Sequence, residues 1–484
     1  MELSSGVRFR CYPTNEQAEI LSQWIGCQRF IYNAKVGEDR YFRKFLNHSL
    51  SLAGTQTTVD QQYAQFKNKE LTPFLYDVPS QVLRNGATRF MGAYQRYFKG
   101  LAERPTFKRR AGRQTVWLTN DLFMFKVTGT KYKEQGKTIY EHRLVLGTTT
   151  KSLGELKFKA HSEYGMPSTI TIVRHAGKWF VSFSYEKASA CMSQEELIAY
   201  YSAMTATELD QITLGVDRGV VVPVAASVKD ISHDFTDEQK HNLSRREIRL
   251  KRYERQMARR IKGSRRQRKA SQKIAGCHSY AANVRHDFAH KASRKIVDSE
   301  AEVFVFEDLK IKNMTRAPKP RRAGNGKCIP NGATAKAGLN RSILESAWGK
   351  VRQFTTYKAR KINKLVIAIP PNGTSQECLK CSHTHPDNRK SQSEFVCQNC
   401  GFTENADYNA SLVIKKTGVR MLLAGEISVK QKKRVMRLKK KHQLGREPAE
   451  VTHGEKEIRR FVASAYETLP SLNCETPATI ASAI

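Results

Sequence analysis

Two Cys-x-x-Cys pairs constrain this chain more than any other feature. Cys378 and Cys381 form the first and Cys397 and Cys400 the second, with fifteen residues between the pairs and Gly401 directly behind. Knuckles at that spacing bring four thiolates around one tetrahedral ion, the ligand set of a structural zinc ribbon. A closed four-sulfur site keeps no open coordination position, so Zn2+ would serve the folding of residues 377–401 and not catalysis. An iron centre and unbound thiols are the alternatives; four thiolates suit Zn2+, and the doubled pair argues against unbound cysteines. His383 and His385, between the knuckles, read as surface residues. The other six cysteines (11, 27, 191, 277, 328 and 474) are scattered. That is the usage of a reducing compartment with one metal site, not of a disulfide scaffold.

The next constraint is charge. Against 45 Asp and Glu stand 83 Lys and Arg, a formal net charge of +38 over 484 residues, which points to a polyanionic partner. The length allows about two to four domains, and a hydrophobic share of 39% is enough for them to fold. No stretch approaches the roughly 18 apolar residues of a spanning helix. The opening MELSSGVRFRCYPT lacks a basic n-region followed by an apolar h-region. A cytosolic or nucleoid location with no membrane partner is therefore expected.

Along the chain, residues 6–12 read as a strand stopped by Pro13, and Thr14 with Gln17 makes a capping box for a helix carrying Ile20, Trp24, Cys27 and Ile31. Further helices are expected over 59–70 and 82–99, so that 14–103 forms a helical region. Strands are expected at 144–146, 156–158, 169–174 and 179–185, the last two flanking a turn at His175-Ala176-Gly177-Lys178. Segments 1–13 and 104–190 then make a β-barrel or sandwich interrupted by the helical region, with the first strand returning to pair with later ones. After a polar linker over 190–208 come a strand at 212–216, an antiparallel partner at 220–226, and a helical hairpin over 236–299 broken at Gly263-Ser264. A strand at 303–306, a basic loop at 316–338, a helix at 339–361, a strand at 365–369 and a helix at 408–416 follow. Residues 426–484 open with eight Lys/Arg between 430 and 441 and end in low complexity; a mostly disordered basic tail is expected.

The hairpin concentrates the charge. Its arms show apolar stripes at Leu250, Tyr253, Met257 and Ile261, and at Ala270, Ile274, Cys277, Ala281, Val284 and Phe288, so each buries one face. Between Arg245 and Lys273 there are fourteen Lys/Arg against Glu247 and Glu254. A solvated face with paired i,i+4 charges would not carry that excess, which repels itself unless a polyanion neutralises it. Arg245, Arg246, Arg249, Arg252, Arg255, Arg259, Arg260, Arg265, Arg266 and Arg285 are the candidate nucleic-acid contacts. Such contacts grip phosphates and carry no sequence code.

Three acids complete the candidate chemistry: Asp217 ending one apolar strand, Glu307 ending another, and Asp407 just before a helix. Each alone is most often a turn or cap residue. Two strand ends and a following helix can gather them, and clustered carboxylates repel unless cations sit between them. Hard oxygen donors suit Mg2+ or Mn2+, and two such ions about 4 Å apart activate water and stabilise a phosphodiester's leaving oxygen.

With these residues in view, the chain resembles the TnpB family of insertion-sequence proteins, relatives of compact type V CRISPR effectors. The resemblance runs through Val7 to Thr14 with Glu16-Gln17, Gly26 to Asn33, Gly215 to Gly219, Arg285 to Lys291 and Phe306 to Leu309. It continues through Leu339 to Leu344, Thr374 to Cys378 and Ala406 to Ala410, collinear from residue 6 to about 415. It implies a multidomain α+β protein: a RuvC-like nuclease of RNase H fold (209–376 and 402–425) using Asp217, Glu307 and Asp407, with a zinc-ribbon target-nucleic-acid-binding insert (377–401). It also implies an N-terminal β-barrel, the wedge (1–13 and 104–190), interrupted by a helical recognition lobe (14–103). The implied activity is RNA-guided cleavage of double-stranded DNA beside a short motif, with a guide RNA as partner and a prokaryotic setting. Ser382 departs from the pattern, where glycine is common, and the tail beyond 426 lies outside it. Asn409, two residues past Asp407, supports either the metal site or the helix N-terminus.

Two rivals stay open at this stage. A DNA-binding repressor would bind a guide without cutting, and loss of an acid would mark it; all three acids are present. A strand-transfer transposase also uses clustered carboxylates, and the cysteine segment between Glu307 and Asp407 argues against it.

Overall fold

The structure is a computed structural model that describes residues 2–46, 60–134, 137–188, 191–324, 328–391 and 393–427. Two compact units result, one from residues 2–187 and one from the described residues beyond them. The basic tail expected from 426 falls almost wholly outside the described residues.

In the first unit, β1 (Glu2–Tyr12) ends at Pro13 and α1 (Asn15–Leu46) begins behind a capping box. The Gln17 N–H donates to Thr14 Oγ1 at 3.2 Å, and the Thr14 N–H donates to Gln17 Oε1 at 3.1 Å. After α2 (Ser80–Phe98) come β2 (Gln114–Thr119), β3 (Phe123–Glu134), β4 (Lys137–Gly147), β5 (Ser152–Ala160), β6 (Thr169–His175) and β7 (Lys178–Ala188). They form one sheet in the order β2-β6-β7-β1-β5-β4-β3. The first strand does return, with Cys11 opposite Phe158 of β5. Ala176 and Gly177 both take positive φ between His175 and Lys178, the geometry of a tight two-residue hairpin. Leu21, Trp24 and Ile25 of α1 and Val82 of α2 share one core with Phe158 and Val181 of the sheet. Tyr32, Val36, Phe90 and Tyr94 make a smaller cluster between the two helices.

The helix expected over 59–70 is not there: from residue 60 the chain holds only a short 3-10 turn, Ala64–Phe66. Local side chains take the backbone instead. Asn68 Oδ1 accepts from the amides of Glu70 and Leu71, and Thr72 Oγ1 accepts from that of Asn68. Strands β2 and β3 went unpredicted because basic and hydroxyl residues dilute their alternation.

The second unit opens with α3 (Gln194–Ser202) and α4 (Ala206–Ile212), which replace the expected linker. Both start with complete capping boxes, Ser193 with Glu196 and Thr205 with Glu208, a signal legible in the sequence. Then follow β8 (Thr213–Asp217), β9 (Ala225–Ala226), α5 (Asp237–Ala258), α6 (Arg265–Val297), β10 (Val303–Glu307), α7 (Ile311–Met314), β11 (Arg321–Arg322) and β12 (Cys328–Ile329). Next are α8 (Ala333–Glu345), α9 (Trp348–Arg360), β13 (Leu365–Ile369), β14 (Glu394–Val396), β15 (Thr403–Asn405) and α10 (Ala406–Leu423). The central sheet runs β13-β10-β8-β9, with β10 parallel to both neighbours and β9 antiparallel to β8.

All five residues of β10 are buried, as a central parallel strand covered on both faces requires. Phe304 and Phe306 pack towards Phe288 and Ala292 of α6 and Val351 of α9. Val303 and Val305 pack towards Leu209 of α4 and Ile414 and Leu422 of α10. Helix α10 sits very close to the sheet. A Cβ on Gly215 of β8 would lie 2.7 Å from the Lys415 nitrogen, and one on Gly418 of α10 would lie 2.6 Å from Val305 Cγ1.

Three further expectations change. The partner of β8 is only two residues long, because residues 218–224 form a wide bend and not a tight turn. The helix expected over 339–361 is two helices, interrupted at Ala347 with φ 56°; the break lets the Trp348 indole N–H donate to the Gly219 carbonyl at 2.8 Å. The break after α5 comes earlier than its stripe suggests, leaving Ile261 82% exposed. Among the described residues, no helix is long and apolar enough to cross a membrane.

Gly215→Ala is expected to cost about 3 kcal/mol, because backbone and not a flexible side chain stands in the way. Gly276→Ala on α6, where a Cβ meets nothing within 4 Å, is expected to gain about 0.5 kcal/mol. Urea unfolding midpoints read both, and equal midpoints would remove the packing argument.

Candidate functional site

The parallel register of β8 and β10 sets Val216 beside Phe306, so the next residues, Asp217 and Glu307, leave the sheet together at its carboxyl end. In open α/β sheets that edge is where ligands bind. Asp407 stands in the first turn of α10, whose N-cap Asn405 accepts from the amides of Asp407 and Tyr408 at 3.1 Å each. The bend after β8 closes towards it: a Cβ on Gly219 would lie 3.4 Å from Asp407 Oδ2.

Glu307 and Asp407 are both buried. Burial, then the charges of Glu307 and Asp407, push the Asp217 carboxyl up to about 7, against the Arg218 amide and Arg389. Burial also raises Asp407, opposed by Arg389. Glu307 Oε1 accepts from the Thr374 hydroxyl at 2.5 Å. The buried Arg218 guanidinium donates to the Glu307 backbone carbonyl at 2.5 Å and is pushed down to about 10, chiefly by burial. The fold thus gathers three acids that influence one another at one sheet edge. Their oxygens do not all come within 4.8 Å of each other; among the described residues, the four cysteines are the group that does.

Arg389 was not anticipated. It lies between the two knuckles, and its Nη2 donates to Asp407 Oδ1 at 2.9 Å. A single arginine in a chain of this charge carries no spacing or pattern that would mark it. The hard oxygen donors and the only partly relieved repulsion on Asp217 fit a divalent cation.

The cysteine cluster fits a four-coordinate ion. Cys378 and Cys400 sulfurs lie 3.7 Å apart and those of Cys381 and Cys397 3.5 Å. Zn–S bonds of about 2.3 Å in a tetrahedron place sulfurs about 3.8 Å apart. Neither His383 nor His385 belongs to the cluster. Ser382 takes φ 60°, which is why glycine is favoured there, and its hydroxyl accepts from Lys416 of α10 at 2.9 Å. Asn409 proves to be a clip: its amide donates to the Glu377 carbonyl at 2.9 Å and accepts from the Leu379 N–H at 3.3 Å. The first knuckle is thereby tied to the helix that carries Asp407.

On the hairpin, Arg245, Arg249, Arg252 and Arg255 are exposed along α5, Arg259 and Arg260 at the bend, and Arg265 and Arg266 at the start of α6. None of these eight pairs with a carboxylate among the described residues. Arg246 stacks over Tyr280 with 4.6 Å to the ring centroid. Arg285 is half-buried, beside Glu345, whose carboxyl is raised by burial and Glu247.

Three family models match the chain: "Cas12f1-like, TNB domain" over residues 348–414, "Probable transposase" over 182–317, and "Helix-turn-helix domain" over 1–36. The last stretch folds here as a strand and the first part of one helix. The "Putative RNA-guided DNA endonuclease InsQ" of Escherichia coli (strain K12) is 29% identical over 432 residues, covering 88% of this chain and 95% of the relative. A Streptomyces pristinaespiralis protein described as "Putative RNA-guided DNA endonuclease" is 26% identical over 88% of this chain and 92% of its own length. A "CRISPR-associated endodeoxyribonuclease Cas12f1" of Sulfoacidibacillus thermotolerans is 38% identical over 77 residues, 16% of this chain and 18% of that protein.

Cys397→Ser is expected to release zinc and lower the unfolding temperature; unchanged zinc by elemental analysis would remove the site. The Asp217 shift predicts a pH dependence of known sign. The folded carboxyl holds its proton up to about 7, whereas the unfolded one releases it near 4, so this group's contribution to stability falls as pH rises through that window. Zinc-loaded Asp217→Asn without added magnesium should therefore unfold at a higher temperature than the parent at pH 8, with the gap closing towards pH 4. Equal pH profiles would contradict the burial of that charge.

Proposed function

The chain belongs to the TnpB family, and from that premise we propose that it is an RNA-guided, divalent-metal-dependent DNA endonuclease. The observation that carries this reading is the convergence of Asp217, Glu307 and Asp407 at one sheet edge, where burial and mutual repulsion leave the acids short of positive charge. Asp217, Glu307 and Asp407 would hold Mg2+ or Mn2+. Bound there, the ion supplies an activated water and a charge for the leaving oxygen of a phosphodiester.

The remaining roles fall to the chain itself. Arg218 holds the Glu307 backbone and Thr374 its carboxylate, so the acid is fixed in direction. Arg389 adds a positive charge beside Asp407, and Asn409 keeps the helix carrying that acid tied to the zinc ribbon. The exposed arginines of α5 and α6 grip phosphates without reading sequence, a task left to the guide RNA pairing with one strand of double-stranded target DNA. In this reading the second unit is a RuvC-like nuclease and the ribbon its target-nucleic-acid-binding insert. The first unit combines the wedge and the helical recognition lobe, which read the short motif beside the target. The place of action is the prokaryotic cytosol or nucleoid. Relatives described as RNA-guided DNA endonucleases over nearly their whole length support the same function.

To test it, the protein is purified with the RNA expressed from its flanking DNA and given Mg2+ and a guide-matched plasmid library. Guide-dependent cutting beside a fixed motif is expected. Asp217→Ala should cut about a thousandfold more slowly or not at all while still binding RNA and target. Binding by the parent without cutting would favour the repressor, and full cutting by Asp217→Ala would exclude that residue from the site.

A further inference from the structure

Away from the carboxylates, the first unit forces several cations together. Arg29 of α1, Arg89 of α2, and Lys108 and Arg113 from the segment before β2 line one recess with Gln28 and Thr115. Lys108 is held there by its own backbone: Asn33, 8% exposed, accepts from the Lys108 N–H at 2.8 Å and donates to its carbonyl at 3.0 Å. Arg89 donates to Gln28 Oε1 at 3.1 Å and Thr115 Oγ1 at 3.3 Å. Arg29 donates to Gln114 Oε1 at 3.1 Å. Both residues that Arg89 bonds are neutral.

The Lys108 ammonium meets the face of Tyr32, 3.3 Å from the ring centroid, and no carboxylate among the described residues. Burial, then Arg89 and Arg96, push it down to about 7. Burial followed by Arg113 lowers Arg89 in the same way. Lys35 of α1 shows how this fold treats a buried cation that has only a structural role: Glu38 and Asp60 flank it at 2.5 and 2.6 Å. Lys108 has no such pair among the described residues. Desolvated like charges cost stability unless an anion neutralises them, and donors held on two helices and a clamped segment are preorganised to meet one.

We propose that Arg29, Arg89, Lys108 and Arg113 bind one phosphodiester of a nucleic-acid strand. The recess itself has room for about 20 Å³, enough for one phosphate oxygen, with the rest of the group at the mouth among the cations. This site rests on the nucleic-acid-binding part of the function proposed above. It adds a fixed contact in the first unit to the exposed arginines of the second. The phosphate comes from the guide RNA or from target DNA, and one experiment separates the two.

Lys108→Gln removes the charge and leaves the Asn33 clamp, which uses only backbone atoms of residue 108. Dissociation constants of the full-length, zinc-loaded parent and variant are measured across a salt series. The probes are the RNA transcribed from the DNA flanking the gene and, separately, a DNA duplex. The variant should unfold at or above the parent's temperature, since it sheds an unpaired cation. Its log–log salt slope should fall by about 0.7 if the phosphate belongs to single-stranded RNA, or by about 0.9 if it belongs to duplex DNA. Unchanged slopes on both polymers, with binding retained, would overturn the site and leave the nuclease reading standing. A lower unfolding temperature with unchanged slopes would make Lys108 structural and overturn it as well. Failure of the parent to bind either polymer would overturn both readings.

Discussion

The close seating of α10 on the β8–β10 sheet is the constraint on which the second unit depends. Gly215 and Gly418 are the two places where a single methyl group would push helix and sheet apart. Without that approach, Asp407 would stand away from the edge where Asp217 and Glu307 emerge. The same helix receives the cysteine segment through Asn409 and Lys416. One packing contact therefore fixes the third acid and the cysteine segment together.

Charge is arranged in this protein by a consistent rule. Where a buried cation serves the fold, a carboxylate stands beside it, as at Lys35, or a carbonyl accepts from it, as at Arg218. Where cations outnumber acids among the described residues, as along α5 and around Lys108, like charges cost stability unless an anion neutralises them. The acids follow the mirror image of that rule: Asp217 is raised by burial and then by its own kind, and is only partly relieved by Arg389.

Much of the organisation was legible because it rests on local signals. The Thr14–Gln17 capping box, the Ala176–Gly177 turn, the break at Gly263 and the apolar run from Val303 to Phe306 each follow from residue chemistry within a short stretch. Other features failed for equally physical reasons. Residues 60–72 lost their helix to Asn68 and Thr72, which bond their own backbone. A helix expected to run through 339–361 breaks at Ala347, where a distant carbonyl, that of Gly219, claims the Trp348 indole. The capping boxes before α3 and α4 were present in the sequence and were outweighed by its polarity.

The sequence by itself determined the spacing of the four cysteines, the places of the three acids along the chain, the basic hairpin and the family resemblance. Each of these is a matter of residue type and spacing, which folding does not alter. Only the tertiary structure decided that Arg389 faces Asp407, that Asn409 clips a knuckle to α10, and that Lys108 is drawn in among arginines from two helices. Those relations join residues whose spacing in the chain carries no signal. They arise when strand register, glycine-permitted helix seating and the Asn33 clamp bring distant segments within bonding distance.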